Sequence, residues 1–216
     1  MVEAVDEVHV TSAIAWASMI SGVPRADAHK DLRLGTTMIE PVLRPLSSSD
    51  APDVLAAFLS DVQMNRQGDV TTLQEAQQYV DGLVNHPACL AWAIADGTHL
   101  VGLVEIDIDA ENRLGWVSYW MHAEARGRGW TKRAAATVAS WALDAGNLER
   151  LELGHRVNNP ASGAVARAAG FIKEGCERQK FLIDGQRVDV DTYGRLRSDP
   201  VPQFEPVRMI SDPADP

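Results

Sequence analysis

The chain has 216 residues, of which 45% are hydrophobic and 23% charged. That composition fits one globular domain with room for an appendage. A formal charge of −10 argues against a general nucleic-acid binder, which needs excess Lys and Arg to displace counterions, and suits a cationic substrate better. The two cysteines, Cys89 and Cys176, stand far apart with no CxxC or metal-like spacing. Neither a disulfide framework nor zinc is signalled, so reduced thiols and a cytoplasmic location are expected.

Residues 1–37 carry a mildly apolar stretch, Ala13 to Ile20, and then the polar run Arg25 to Arg33. The stretch is too short to span a bilayer, and acidic residues precede it, so no export signal or membrane anchor is read. These residues are expected to form an extension or a short docking helix. Met38 would then open the domain proper, and an upstream mis-assigned start is testable by mass spectrometry of the native N-terminus. Ile39 to Leu46 suit a strand that Pro45 limits to an edge or ends. Ser49 or Asp50 can cap a helix with the stripe Val54, Leu55, Phe58 and Leu59, and Thr72 can cap a second through Ala76, Tyr79, Val80 and Leu83.

Leu90–Ala95, Leu100–Ile108 and Leu114–His122, separated by Asp96-Gly97 and a turn around Asn112, predict an antiparallel meander. Trp130 to Ala145 has a helical period, with Gly146 as its left-handed stop. Leu151–Val157 is a further strand, and Ser162–Ala169 a short helix stopped by Gly170. Phe171–Ile183 and Arg187–Leu196 close as a hairpin over Asp184-Gly185. The Pro-rich stretch 199–216 is expected to be disordered. The order is that of an α+β domain over 38–198, with a mixed, mostly antiparallel central sheet and about four helices.

The segment from Trp120 through Arg133 ends a strand, makes a glycine-rich turn and starts a helix. Glycines let successive N–H groups converge on one anion, and the helix N-terminus adds about half a positive charge, so a diphosphate fits there. Arg126, Arg128, Lys132 and Arg133 can add cations. The segment follows an antiparallel meander and lacks both a third glycine and GK[ST], which excludes a dinucleotide fingerprint and a P-loop.

Arg126-Gly127-Arg128-Gly129-Trp130-Thr131 resembles the [Q/R]-x-x-G-x-[G/A] acetyl-CoA motif of the GNAT superfamily of N-acetyltransferases, with Thr131 where a small Gly or Ala is usual. A second block, Asn159-x-x-Ser162 with Gly170-Phe171 and Glu174-Gly175, is similar to the signature of the RimJ/RimL-type branch, whose members acetylate α-amino groups of ribosomal proteins or, in some relatives, small amines and antibiotics. The resemblance runs from about Met38 to Arg197. It implies the GNAT fold, with a splayed strand pair ending near Met121 and Val157 that admits acetyl-CoA. Backbone groups of Tyr119, Trp120 and Met121 would hold the pantetheine and thioester. Gly127 through Lys132, including Arg128 and Trp130, would hold the diphosphate, and Asn159 and Ser162 the pantetheine arm or thiol end.

Acetyl transfer needs a free amine, a polarised carbonyl and a proton for the thiolate. An α-amino group, with a pKa of about 8, needs less help than a lysine near 10.4. The oxyanion donor would be an N–H near Met121. The tyrosine that many GNAT members carry seven residues past the Asn is replaced here by Ala166, so Ser162 is the expected acid and His155 the expected base, with Glu105 as another. His122 could face the opening, but no third ligand accompanies it and His155, and a metal is not expected. Trp92, Trp116, Tyr119 and Trp120 could line an acceptor pocket, and Asp189, Asp191 and Tyr193 could border it. The acceptor is thus a protein or peptide N-terminus or a small cationic amine; an acyl-CoA-binding protein without turnover is the competing class, and a homodimer is an option.

Overall fold

The computed structural model describes residues 40–210. The expectations for residues 1–37 lie outside the described residues. Strand β1 (Val42–Pro45) is followed by one 3-10 turn, helix α1 (Ala51–Leu59), a second 3-10 turn (Val62–Arg66) and helix α2 (Leu73–Val84). Then come β2 (Cys89–Asp96), β3 (His99–Asp109) and β4 (Leu114–Met121), helix α3 (Trp130–Asp144), β5 (Arg150–Arg156), α4 (Pro160–Ala168), β6 (Ile172–Ile183), β7 (Gln186–Leu196) and β8 (Arg208–Met209).

Local chemistry accounts for the starts and stops. Thr72 and Glu75 form a reciprocal capping box that opens α2. Asp50 is buried and its carboxylate is taken by Arg44, at 2.6 and 2.8 Å, and by the Ser47 N–H, so it gives no side-chain cap to α1. Asp184 and Gly185 both have positive φ, 50° and 77°, as a type I′ hairpin turn requires. The stop after α3 differs from expectation. Asn147, at φ 56°, is the left-handed residue there, while Gly146 is needed because a Cβ would lie 2.7 Å from the Ala142 carbonyl oxygen.

All strands join one sheet in the order β6-β7-β5-β4-β3-β2-β1-β8, parallel only at β4–β5 and β1–β8. The two-residue alternation of β3 splits the core over both faces. Val104 and Ile106 pack with Ala135, Val138 and Leu143 under α3, and Leu103 packs with Val54, Phe58 and Val80 under α1 and α2. The β4–β5 pairing stops at Trp116↔Glu152, although β4 stays paired to β3 as far as Met121 and β5 to β7 as far as Arg156. A V-shaped gap therefore opens in mid-sheet, with the start of α3 above its β4 arm.

The expected disorder after Asp199 does not hold for the described residues. Val207 is 2% exposed and donates its N–H to Thr137 Oγ1 at 2.9 Å, and Arg208–Met209 pair with β1. Apolar residues spaced among the prolines anchor this segment, so β1 is interior and β8 takes the edge. Among the described residues no helix is long and apolar enough to cross a membrane.

Candidate active site

The turn between β4 and α3, where an anion cradle is expected, leaves a run of backbone N–H groups without acceptors among the described residues. Gly127 and Gly129 sit at φ 81° and 79°, and the first α3 N–H with a backbone acceptor is that of Arg133, bonded to Gly129 O at 3.2 Å. The N–H groups of Gly127 through Lys132 have no acceptor among the described residues. A Cβ on either glycine would meet nothing within 4 Å, so the positive φ, and not crowding, selects glycine. Unpartnered N–H groups at a helix N-terminus are the chemistry of a phosphate site.

The expected cations divide. Lys132 is exposed with no ion pair among the described residues. Arg126 pairs with Asp61 and donates from Nε to the Met121 carbonyl at 3.1 Å. Arg128 stacks over Trp130 at 4.8 Å and approaches Asp96 at 3.5 Å. Arg133 turns away to Glu40 and the Glu205 carbonyl, which removes it from the cradle.

Strand register decides which backbone groups face the gap. The His122 N–H donates to Val101 O, so by antiparallel alternation the even-numbered residues of β4 bond to β3 and the odd ones point toward β5. Tyr119 and Met121 thus present polar backbone to the V. Trp120 does not: its backbone is used in the β3 ladder, and its indole, 5% exposed, donates to the Tyr79 hydroxyl at 3.0 Å. By the same alternation, with Val157 N–H on Asp189 O, Gly154 and Arg156 face the V from β5.

At the mouth of the gap Asn159 caps α4, its Oδ1 accepting from the Ser162 N–H at 3.2 Å. The Ser162 Oγ is left free and meets the Tyr119 hydroxyl at 3.0 Å. Burial pushes the Tyr119 phenol up to about 12. This hydroxyl pair was not legible in the sequence, because it joins positions 43 residues apart. Ala166, where the family tyrosine is usual, is fully buried.

His155 is 8% exposed and both its nitrogens are engaged, Nδ1 donating to the Arg156 carbonyl at 2.9 Å and Nε2 lying 3.2 Å from the Tyr193 hydroxyl. His122 accepts the Glu124 N–H at Nδ1 and lines neither of the cavities described below. Asp191 is held by Lys173 at 2.7 Å and Asp189 accepts the Gln179 N–H, and neither lines the cavities described below. Glu105 lies across from Ser118 in the β3–β4 register. Its Oε2 is buried without a partner among the described residues, and burial, helped by Asp107, raises its pKa to about 7.

Two cavities flank this mouth. The larger, about 450 Å³, runs from the cradle along Tyr119–Met121 to α4. The smaller, about 160 Å³, lies between Trp116–Tyr119 and Leu153–Arg156. They share Gln67, Tyr119, Arg156, Asn159 and Ser162, and no described Asp or Glu lines either. Trp116, Tyr119 and Trp120 contribute to the walls, whereas Trp92 is core, edge-on to Trp141.

Comparison with known proteins agrees with this geometry. Residues 42–172 match the family model described as an acetyltransferase (GNAT) domain. A ribosomal-protein-serine acetyltransferase of Escherichia coli (strain K12) is 31% identical over 98 residues, 45% of this chain and 55% of that protein, so the chain spans about half the length of this curated relative. The solved ribosomal L7/L12 alpha-N-protein acetyltransferase in complex with coenzyme A superposes with a TM-score of 0.66 at 25% identity, covering 71% of this chain and 92% of the other. A chimera of spermidine N-acetyltransferase from Vibrio cholerae, 22% identical, shares the fold with a TM-score of 0.66 over 74% of this chain and 96% of its own. With the family match extending over more than half its length, the chain belongs to the acetyltransferase (GNAT) domain family.

Proposed function

We propose that this protein transfers an acetyl group from acetyl-CoA to a primary amine, and that the acceptor is an α-amino group of a protein or peptide. The observation that carries it is the meeting of two cavities at Tyr119, Asn159 and Ser162, one of them ending on an anion cradle. The coenzyme supplies an activated acetyl thioester. The residues present fit it: the fan of N–H groups from Gly127 to Lys132, with Lys132 beside it, suits a diphosphate, and the V arm offers the backbone of Tyr119 and Met121 to a pantetheine. Both cysteines are unpaired, which suits a reducing compartment, and we place the reaction in the cytoplasm.

The chain's own groups then divide the chemistry. The Met121 N–H, unused by β3, is the donor for charge developing on the carbonyl oxygen. Ser162, backed by the Tyr119 phenol, gives a proton to the departing thiolate. The arginines of the smaller cavity lower the pKa of an amine held near them, so the attacking free base forms more readily. Glu105, poised near neutrality opposite Ser118, accepts the amine proton through water. His155 is better suited to hold the Arg156 carbonyl than to act as the base, since both its nitrogens are engaged.

The test is release of CoA, followed by thiol titration, with acetyl-CoA and Ser-, Thr- and Ala-starting peptides, aminoglycosides and polyamines against a blank without acceptor. Acceptor-dependent release by peptides is expected. Measurable acetyl-CoA binding with no release by any acceptor would instead favour a binding protein without turnover.

A further inference from the structure

The smaller cavity has the wrong charge for the acceptor that the composition suggests. The chain carries 30 acidic residues, yet none of those described lines this cavity, while Arg66 and Arg156 both do. Arg156 also reaches the larger cavity, so it stands at the junction where an acceptor amine would meet the thioester.

Arg156 is short of partners. Its Nη1 is buried and bonds to nothing among the described residues, and burial together with the neighbouring Arg66 lowers its pKa, the behaviour of a cation lacking counter-charge. Its backbone is fixed, because the carbonyl accepts from His155, whose ring is braced by Tyr193, itself approached by Arg167. Among the described residues Arg66 has only a loose contact with Asp184, at 3.4 Å, and that carboxylate is 88% exposed. Surface pairs of this kind are worth little, so Arg66 is available to a better-placed anion. A guanidinium nitrogen buried without an acceptor is costly unless a ligand supplies one, and the half-buried fork of Arg156 matches a carboxylate or phosphate.

The geometry points to an acceptor specificity: Arg66 and Arg156 bind a carboxylate or phosphate carried close to the acceptor amine, so the enzyme selects anionic primary amines and rejects polycations. The inference rests on the acetyl-transfer reading for its use in turnover, but the anion site itself does not need it. Two sources share this chemistry, a protein N-terminus with an acidic second or third residue and a small free amino acid or phosphorylated amine.

The experiment measures binding and turnover separately on the full chain. Binding of Ser-Asp-Glu-, Ser-Gln-Gln- and Ser-Lys-Lys-starting peptides, of free aspartate, of phosphoethanolamine and of spermidine is followed by calorimetry with CoA present, and CoA binding is measured alone. The acidic peptide, or one of the small anionic amines, is expected to bind roughly 10- to 100-fold more tightly than its neutral counterpart, the range of one charge-assisted hydrogen bond. Which of the two does so identifies the source. In Arg156→Gln and in Arg66→Gln this preference should collapse to within about twofold, with Arg156→Lys intermediate because it keeps charge and loses the fork. Equal binding of acidic and neutral ligands by the unaltered protein, or a preference for spermidine, overturns the proposal. So does a preference that survives both substitutions while CoA affinity falls, which would give Arg156 to the coenzyme. If binding follows the expected pattern but no CoA is released, the anion site stands and the transfer reading fails.

Discussion

Glu105, the proposed proton acceptor, also ties stability to pH. Its folded pKa, about 7, lies above the value of about 4.3 for a free glutamate, so the native state holds an extra proton across that interval. Stability therefore falls as pH rises from about 4.3 to 7, by about 2 kcal/mol after allowance for its partial exposure. Glu105→Gln should flatten this part of the stability curve in denaturant titrations at pH 5 and pH 8. It should also remove the acidic limb near pH 7 from the kcat/KM profile. An unchanged profile would dismiss Glu105 as the proton acceptor and leave the buried carboxylate a structural matter. The sequence put His155 forward as the base, with Glu105 as a further candidate. Their separation came from partners: His155 is saturated and Glu105 is not.

At the scale of elements, the cradle depends on two left-handed glycines at the start of α3. Gly129→Ala introduces about 1 kcal/mol of backbone strain without a steric clash. Relief of that strain would turn the N–H fan away from its target, and CoA affinity should weaken at least about tenfold. Gly185→Ala, with the same φ class in the β6–β7 turn and equally open space, carries the same strain away from the site. It should lower stability similarly and leave CoA binding unchanged. Equal loss of CoA binding in both variants would mean that global destabilisation, and not the cradle, is being measured. The glycine spacing and the helix start after Gly129 were legible in the sequence, because left-handed turns and helix entries are chosen by local residue chemistry. The diversion of Arg133 to Glu40 and Glu205 was not, since those partners lie 93 and 72 positions away along the chain.

Over the whole molecule, the C-terminal segment is an integral part of the sheet. Val207 fills the α3-side core, Phe204 packs against it, and Pro202 lies 3.0 Å from where a Cβ on Gly170 would stand. Truncation after Asp199 exposes these groups and β1 together. Burial of the Val207 and Phe204 side chains and the lost Thr137 hydrogen bond predict a loss of roughly 3–5 kcal/mol, and thus a Tm lower by about 10 °C in a calorimetric scan. An unchanged Tm would show that the tail only rests on the domain. Proline content suggested disorder here, but composition does not register that the apolar residues between the prolines meet a waiting groove.

The sequence by itself determined the order of elements from β1 to β7, the antiparallel meander, the glycine turn that opens α3 and the family resemblance. All of these follow from short-range rules: side-chain periodicity, turn residues and motif spacing. Only the tertiary structure decided which backbone groups face the gap, that Tyr119 reaches Ser162, and that the smaller cavity beside them is lined by arginines and by no described carboxylate inside an acidic protein. Net charge is a sum over the chain, whereas a substrate meets the few charges left unpaired around one cavity. Which charges those are is settled by packing between residues distant in sequence.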